Sequence, residues 1–325
     1  MRILALSDAA SPWHSFWIRF GQYVPELKLP VTISTDAQGI HTLGKGDQLL
    51  LYRYNAGWGD LQGSLASARG RGVELLADVD DYLWQAQGWS RSRLRAFSRA
   101  LHLCHRISCS TVPLEEVLGA MFRRARVKVL ANSTPPRRPV TPRAAGPLRL
   151  CWTGAPWTRP QDLELLKPLV HWAKSQQEPL RWRHLGHANG RLSFAGALGL
   201  DPILVEQQPL LPHQQYLAAI EGDIGLAPLA AGTFNSFKSE LKLLEYSGLA
   251  MPWIASAAPP YKDLCERWGW NGRLCWHPHH WIAHLEALLD PGTRQREGEQ
   301  LQQLAHGRQG HAQAVRGWRE WLLER

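Results

Sequence analysis

The stretch Asp223–Tyr261, DIGLAPLAAGTFNSFKSELKLLEYSGLAMPWIASAAPPY, decides the fold. It opens on an apolar run, Ile224–Ala227, of strand length. A small-residue loop follows, then a helical pattern over Lys238–Ser247. A second short apolar run, Trp253–Ala255, closes it. Strand, helix and strand in that order form one parallel unit. Asn235 or Ser236 is suited to cap the helix start, and Gly248 is suited to end it. Spacing predicts that Lys238, Lys242 and Glu245, at i, i+4 and i+7, share one helical face. Lysines in a first turn oppose the helix dipole unless an anion is bound. A helix N-terminus with two lysines is therefore suited to a diphosphate. A carboxylate one turn on is placed to accept hydrogen bonds from ribose hydroxyls. The alternative is a solvated face carrying a Lys–Glu pair.

The same alternation extends outward. Leu148–Thr153, Leu180–Leu185, Ile203–Val205 and Leu274–Trp276 read as further strands of the second half. The first half offers Ile3–Leu6, Gln48–Tyr52, Val73–Ala77, Arg106–Cys109 and Val127–Leu130. Between the halves lies NSTPPRRPVTPRAAGP, Asn132–Pro147, whose five prolines forbid a continuous helix or a central strand. The expected organisation is α/β, with two Rossmann-like domains facing each other across a cleft. They span 1–140 and 148–292. Residues 293–325 read as a terminal helix with the option of packing back on the first domain.

Composition narrows the class. Of 325 residues, 44% are hydrophobic and 20% charged, which excludes extended disorder. Five cysteines without a CxxC pair argue against a disulfide scaffold and fit a reducing cytoplasm. The opening MRILALSDAA reads as a first strand, not a signal peptide, and no apolar stretch reaches membrane-spanning length.

The net charge of +9 is unevenly placed. Between Glu116 and Asp162 there is no acidic residue, while Arg123, Arg124, Arg126, Lys128, Arg137, Arg138, Arg143, Arg149 and Arg159 all fall there. Arg91, Arg93, Arg95 and Arg99 cluster just upstream. Segments 91–99 and 123–149 thus suit an anionic membrane surface or an anionic substrate. A merely solvated basic surface is the plain alternative. No nucleic-acid motif accompanies the charge, so nucleic acid is not expected.

FNSFKSELKLLEYSGLAMPWIAS resembles the donor-binding segment of family-4 type retaining glycosyltransferases of the GT-B fold, in a branch that reads roughly FN..KS..K.LEY. Asn235, Lys238, Ser239, Lys242, Glu245, Tyr246, Gly248, Pro252, Ser256, Pro260 and Tyr261 match it. DIGLAPL, with Pro228 and Leu229, is similar to the preceding strand and loop. RLCWTGAPWTRPQDLELL is similar to the opening of the second domain, and ELLADVDDYLW and RISCSTVPLEEVL to first-domain segments.

The resemblance implies a sugar transfer from a nucleotide-diphosphate sugar to a glycan or lipid-linked acceptor, with retention and without a metal. It implies no cofactor beyond that donor substrate. Glu245 would bind the nucleotide ribose. Lys238 and Lys242 would lie near the diphosphate or donor sugar. Gly154 and Ala155 would form the backbone loop approaching the donor, with Asn235, Ser239, Pro228 and Leu229 beside them. Asp80 or Asp81 falls where related enzymes carry a His-Asp pair. The first glutamate of the family's E-x7-E motif is replaced by Phe237, and no histidine stands at the Asp80 position. Both departures also suit a non-catalytic relative that keeps nucleotide or glycan binding.

Weaker signals carry less. Asp78-Val79-Asp80 has the form of a DxD metal motif, or of carboxylates capping a strand end. Cys275, His277, His279 and His280 fit no common zinc spacing. No hydrolase triad, P-loop or GxGxxG is present.

Overall fold

A computed structural model describes every residue except 9–14, 59, 87, 136–145, 177–179 and 325. The central part of the Pro-rich linker, with Arg137, Arg138 and Arg143, lies outside the described residues. The chain divides into two compact units. Unit 1 is Met1–Asn132, Phe237–Ser239 and Ala312–Arg325; unit 2 is Ser133–Ser236 and Glu240–His311.

Among the described residues, unit 1 carries a six-stranded sheet: β1 Ile3–Ser7, β2 Val31–Ser34, β3 Gln48–Tyr52, β4 Glu74–Val79, β5 Arg106–Cys109 and β6 Arg126–Val129. All pairings are parallel, in the order β2-β1-β3-β4-β5-β6. The central strands bury both faces, as a parallel sheet covered by helices requires. Leu4, Leu6, Leu49 and Leu51 face one core, while Ile3, Ala5, Leu50 and Tyr52 face the other. Phe16, Phe20 and the closing helix His311–Leu323 cover that second face. Trp318 meets Phe20 edge-on at 4.9 Å, and Gln48 Nε2 donates to the Leu322 carbonyl at 2.7 Å.

Unit 2 repeats the plan with β7 Arg149–Thr153, β8 Arg181–His187, β9 Val205–Pro209, β10 Ile224–Ala227, β11 Trp253–Ser256 and β12 Leu274–Cys275. Its order is β12-β11-β10-β7-β8-β9, again wholly parallel. Leu150, Trp152, Trp182 and Ile254 line one core; Cys151, Leu185, Ala227 and Trp253 line the other. The five cysteines are buried and unbridged. Among the described residues no helix is long and apolar enough to cross a membrane.

Three local expectations change. β2 was not expected, because VTIS at a sheet edge has no fully buried residue to give it an apolar signature. The strand expected at Ile203–Val205 runs instead over Val205–Pro209, after a short 3-10 turn at Pro202–Leu204. The helix expected from Lys238 begins at Leu241. Thr233–Ser236 forms a separate turn of helix before it, and Phe237–Ser239 joins unit 1. Lys238 therefore does not share a helical face with Lys242 and Glu245.

Candidate functional site

Counted from its own first strand, the unit 2 sheet has the order 3-2-1-4-5-6. Its direction of growth reverses between β7 and β10. Ligands of open parallel sheets bind beyond the carboxyl ends of the strands at such a reversal. The sequence-expected donor residues of unit 2 gather there.

At the end of β7 the chain turns through Gly154, whose φ of +143° lies outside the range side chains favour. A Cβ at neighbouring Gly186 would stand 2.4 Å from the Gly154 carbonyl oxygen, so two backbones touch here. Gly154 N–H donates to the Leu185 carbonyl at 2.8 Å. His184 Nε2 donates to the Gly154 carbonyl at 2.9 Å. Burial pushes the His184 imidazole down to about 4, only partly offset by that carbonyl, so the ring is neutral at pH 7. It packs in a three-ring cluster with Trp152 and Phe194, with centroids 5.3 and 5.1 Å away and the two aromatic rings 5.3 Å from each other. The turn is thus held from behind by a rigid aromatic layer. Ala155 follows and starts a 3-10 turn, its carbonyl accepting from Thr158 Oγ1 at 3.0 Å.

Lys242 sits in the first turn of the Leu241–Gly248 helix. Its ammonium donates to the Thr153 carbonyl and, at 3.3 Å, to Thr153 Oγ1. It also stands 5.5 Å from the Trp152 ring centroid. This contact sets the positive end of the helix at the carboxyl end of β7. Glu245, one turn further, is buried and accepts from the Tyr216 hydroxyl at 2.8 Å. Burial pushes its carboxyl up to about 7, against the opposing pull of Lys242 and Tyr216.

The loop after β10 is held by two more polar anchors. Leu229 N–H donates to Ser256 Oγ at 2.9 Å, beside buried Pro228. Asp162 Oδ1 accepts from Ala230 N–H at 2.7 Å and Asn235 Nδ2 at 3.1 Å. Asn235 Nδ2 also donates to the Ala230 carbonyl at 2.9 Å, closing the loop on itself.

The remaining expected residues lie in unit 1. Asp80, just past β4, accepts from Tyr52 Oη at 2.8 Å and from Arg53 Nη2 at 2.7 Å. Burial alone would raise its carboxyl, but the Arg53 guanidinium and these hydrogen bonds hold it well below the usual range. Arg53 adopts φ +59°, a strained conformation for a non-glycine residue. Lys238 Nζ pairs with Asp81 at 3.0 Å. Around it, Phe237 packs on Tyr82 with centroids 4.5 Å apart, and Thr111 Oγ1 donates to the Phe237 carbonyl at 3.1 Å. Ser239 Oγ accepts from Asn132 Nδ2 at 2.8 Å. Position 237 therefore serves an aromatic contact.

The DxD aspartates are each engaged by arginine. Asp78 is paired in two bonds with buried Arg19 and accepts from Ser108 Oγ at 2.7 Å. Among the described residues no group of three or more His, Cys, Asp or Glu is placed to hold a metal ion. Sequence reading missed Asp162, His184, Tyr216, Arg19 and Arg53. None has a local motif; each acts on a residue at least 27 positions away.

No family model and no curated protein matches the sequence. Solved structures do match. HepE of Anabaena in complex with UDP-glucose is 16% identical, with 99% of each chain covered and a TM-score of 0.66. The pneumococcal O-GlcNAc transferase GtfA in complex with UDP and GlcNAc is 14% identical over 88% of this chain and 58% of that one, TM-score 0.53. The α,α-trehalose 6-phosphate synthase of Burkholderia multivorans is 11% identical over 88% and 72%, TM-score 0.57. With two parallel six-stranded units and these likenesses, the chain has the GT-B fold.

Proposed function

We propose that this chain is a glycosyltransferase of the family-4 type. It moves a sugar from a nucleotide-diphosphate sugar to a glycan or lipid-linked acceptor, with retention and without a metal. One observation carries the reading: Lys242 ties the start of the Leu241–Gly248 helix to the glycine turn of β7, at the strand-order reversal of unit 2. A helix N-terminus, a lysine and an open glycine backbone are what a diphosphate needs. Glu245 lies one turn further along the same helix and is the proposed partner of the ribose hydroxyls. As the bond from the anomeric carbon to the diphosphate oxygen breaks, the diphosphate departs with both electrons, an acceptor hydroxyl oxygen bonds that carbon on the same face, and its proton passes to the departing phosphate oxygen. Lys242 and the helix end stabilise that charge. The whole-length likeness to HepE, solved with UDP-glucose, supports a UDP-sugar as the first donor to try.

Lys238 and Asp81 form a pair beside Asp80, and all three are catalytic candidates. Arg91, Arg95 and Arg99 are exposed at i, i+4 and i+8 of the Arg91–Leu101 helix. That row supports peripheral association with the anionic inner face of a membrane in the cytoplasm. Within 123–149, Arg126 and Lys128 already face Glu324, at 2.5 and 3.9 Å.

Phe237 packed on Tyr82 favours a second reading, a non-catalytic nucleotide- or glycan-binding relative. Donor hydrolysis separates the two. Incubation with UDP-, GDP-, ADP- and dTDP-sugars should release free sugar from one of them. Nucleotide binding without any turnover would favour the second reading.

A further inference from the structure

The unit 1 sheet has its own reversal. Its order 2-1-3-4-5-6 changes direction between β1 and β3, so a second ligand position is expected beyond the carboxyl ends of those strands. A cavity of about 400 Å³ opens beside that position, between the segment after β2 and the segment after β3. Its size falls within the range of small-ligand sites, roughly 300–1,000 Å³.

The lining is chemically selective. Trp58 contributes the aromatic surface. Its indole N–H donates to the Thr35 carbonyl at 2.6 Å, and its ring meets Tyr54 edge-on at 6.2 Å, so its orientation is fixed. Asp36, Gln38, His41 and Ser64 line the same cavity. Asp36 Oδ1 is used on Gln38 N–H at 2.9 Å. Among the described residues its Oδ2, the Gln38 amide and the His41 ring have no protein partner and are solvent-exposed. Asn55 is already used: its Oδ1 accepts from Gly57 N–H at 2.9 Å. No Lys or Arg is among the described lining residues, although the chain carries 37 of them.

That set disfavours an anion, which would meet Asp36 without a counter-charge. It also disfavours a wholly apolar ligand, since several polar groups would lose water without replacement. A pyranose meets both requirements. Its C–H face is attracted to the negative face of an indole, and its hydroxyls both donate and accept around the rim. We propose that this cavity binds one or two residues of a neutral saccharide, with Trp58 as the platform and Asp36 and Gln38 as hydroxyl partners. Naming that saccharide the acceptor rests on the glycosyltransferase reading; binding itself does not.

The test uses the full chain labelled with 5-fluorotryptophan. The Trp58 fluorine resonance is assigned by its loss in Trp58→Phe. Maltose, cellobiose, lactose and N,N′-diacetylchitobiose are titrated without any nucleotide. At least one should shift the Trp58 resonance saturably. Read by isothermal titration calorimetry, since Trp58→Ala lacks the reporting resonance, that binding should weaken at least tenfold in Trp58→Ala and severalfold in Gln38→Ala, with cooperative melting kept in both. No shift with any of the four, undiminished binding in both variants, or preference for a uronate-containing disaccharide would each overturn the proposal. A parallel UDP titration keeps the two ideas apart. UDP binding without saccharide binding removes only the cavity, whereas saccharide binding without UDP binding removes only the transferase.

Discussion

Lys242 donates its ammonium to the backbone carbonyl of Thr153, joining the first turn of a helix to the last residue of the first strand of unit 2. This contact fixes a cation beside a backbone that only glycine can follow, since Gly154 sits at φ +143°. It also gives Lys242 a separable role. Lys242→Met keeps the aliphatic stem against Trp152 and removes the charge. Turnover of the donor should fall about 100-fold, the scale of one lost donor to a developing anion. The melting temperature should stay within about 2 °C, because a part-exposed contact contributes little stability. A calorimetric scan beside the rate measurement checks both. Normal turnover with lowered melting would make Lys242 a structural tether.

Glu245 gives a pH prediction with a definite sign. Its carboxyl is pushed up from 4.5 to about 7 in the folded chain, chiefly by burial. Between those values the unfolded chain loses the proton and the folded chain keeps it. Folding stability from this group is therefore full below pH 4.5 and falls as pH rises towards 7. The whole effect is on the order of 3 kcal/mol. His184 and His213, both lowered to about 4 mainly by burial, act with the opposite sign over pH 4 to 6.5. Whole-protein melting thus hides the slope, and the difference between wild type and Glu245→Gln reveals it. The variant should gain stability relative to wild type from pH 5 to pH 8, by urea unfolding. A pH-independent difference would mean that Glu245 ionises normally.

The buried pair Arg19–Asp78 predicts a structural, not metal-binding, first aspartate. The two side chains are 2% and 1% exposed. Arg19 also donates to the Leu130 carbonyl at 2.6 Å and Asn132 Oδ1 at 3.0 Å. Arg19→Met leaves Asp78 unpaired and should cost about 3–5 kcal/mol. Asp78→Asn should destabilise as well, and Mn²⁺ should not change the melting of the wild type. A melting shift with Mn²⁺ that Asp78→Asn abolishes would restore the metal reading.

Ala250 carries a backbone prediction. It holds φ +55°, where an alanine is strained, two residues past the helix that bears Glu245. Ala250→Gly should stabilise the chain by about 1 kcal/mol, the strain released less the entropy glycine adds to the unfolded state. The carbonyl of Ala250 lies 2.1 Å from where a Cβ at Gly298 would stand. Gly298→Ala should therefore destabilise by about 1–3 kcal/mol. Guanidinium unfolding of the two variants reads both signs, and a loss in Ala250→Gly would show that the conformation carries no strain.

The strand–helix alternation was legible because buried parallel strands are short apolar runs, as at Leu49–Leu51 and Ile224–Ala227. β2 was not legible, since its half-exposed VTIS carries no such run. The donor segment was legible as a motif but not in register. Local spacing placed Lys238 on the helix, whereas its bond to Asp81, 157 residues away in sequence, holds it outside. Tertiary contacts of that kind override propensity and leave no periodic trace. Glu245 and Lys242 were found by spacing from each other. Tyr216, His184 and Asp162, which position that region, are paired through the fold and could not be. Arg126 and Lys128 showed in the sequence as unbalanced charge because their partner, Glu324, lies almost 200 residues on.

The most direct measurement is a thermal-shift titration of the full chain with UDP, GDP, ADP and dTDP and their sugars, with and without Mn²⁺. Ligand that binds the folded chain raises its melting temperature by mass action. A saturable rise is expected with one nucleotide family, unaffected by Mn²⁺ and reduced in Glu245→Ala by about 1–3 kcal/mol of binding energy. No rise with any nucleotide, or a rise of equal size in Glu245→Ala and Lys242→Met, would contradict a nucleotide site at the β7–β10 reversal.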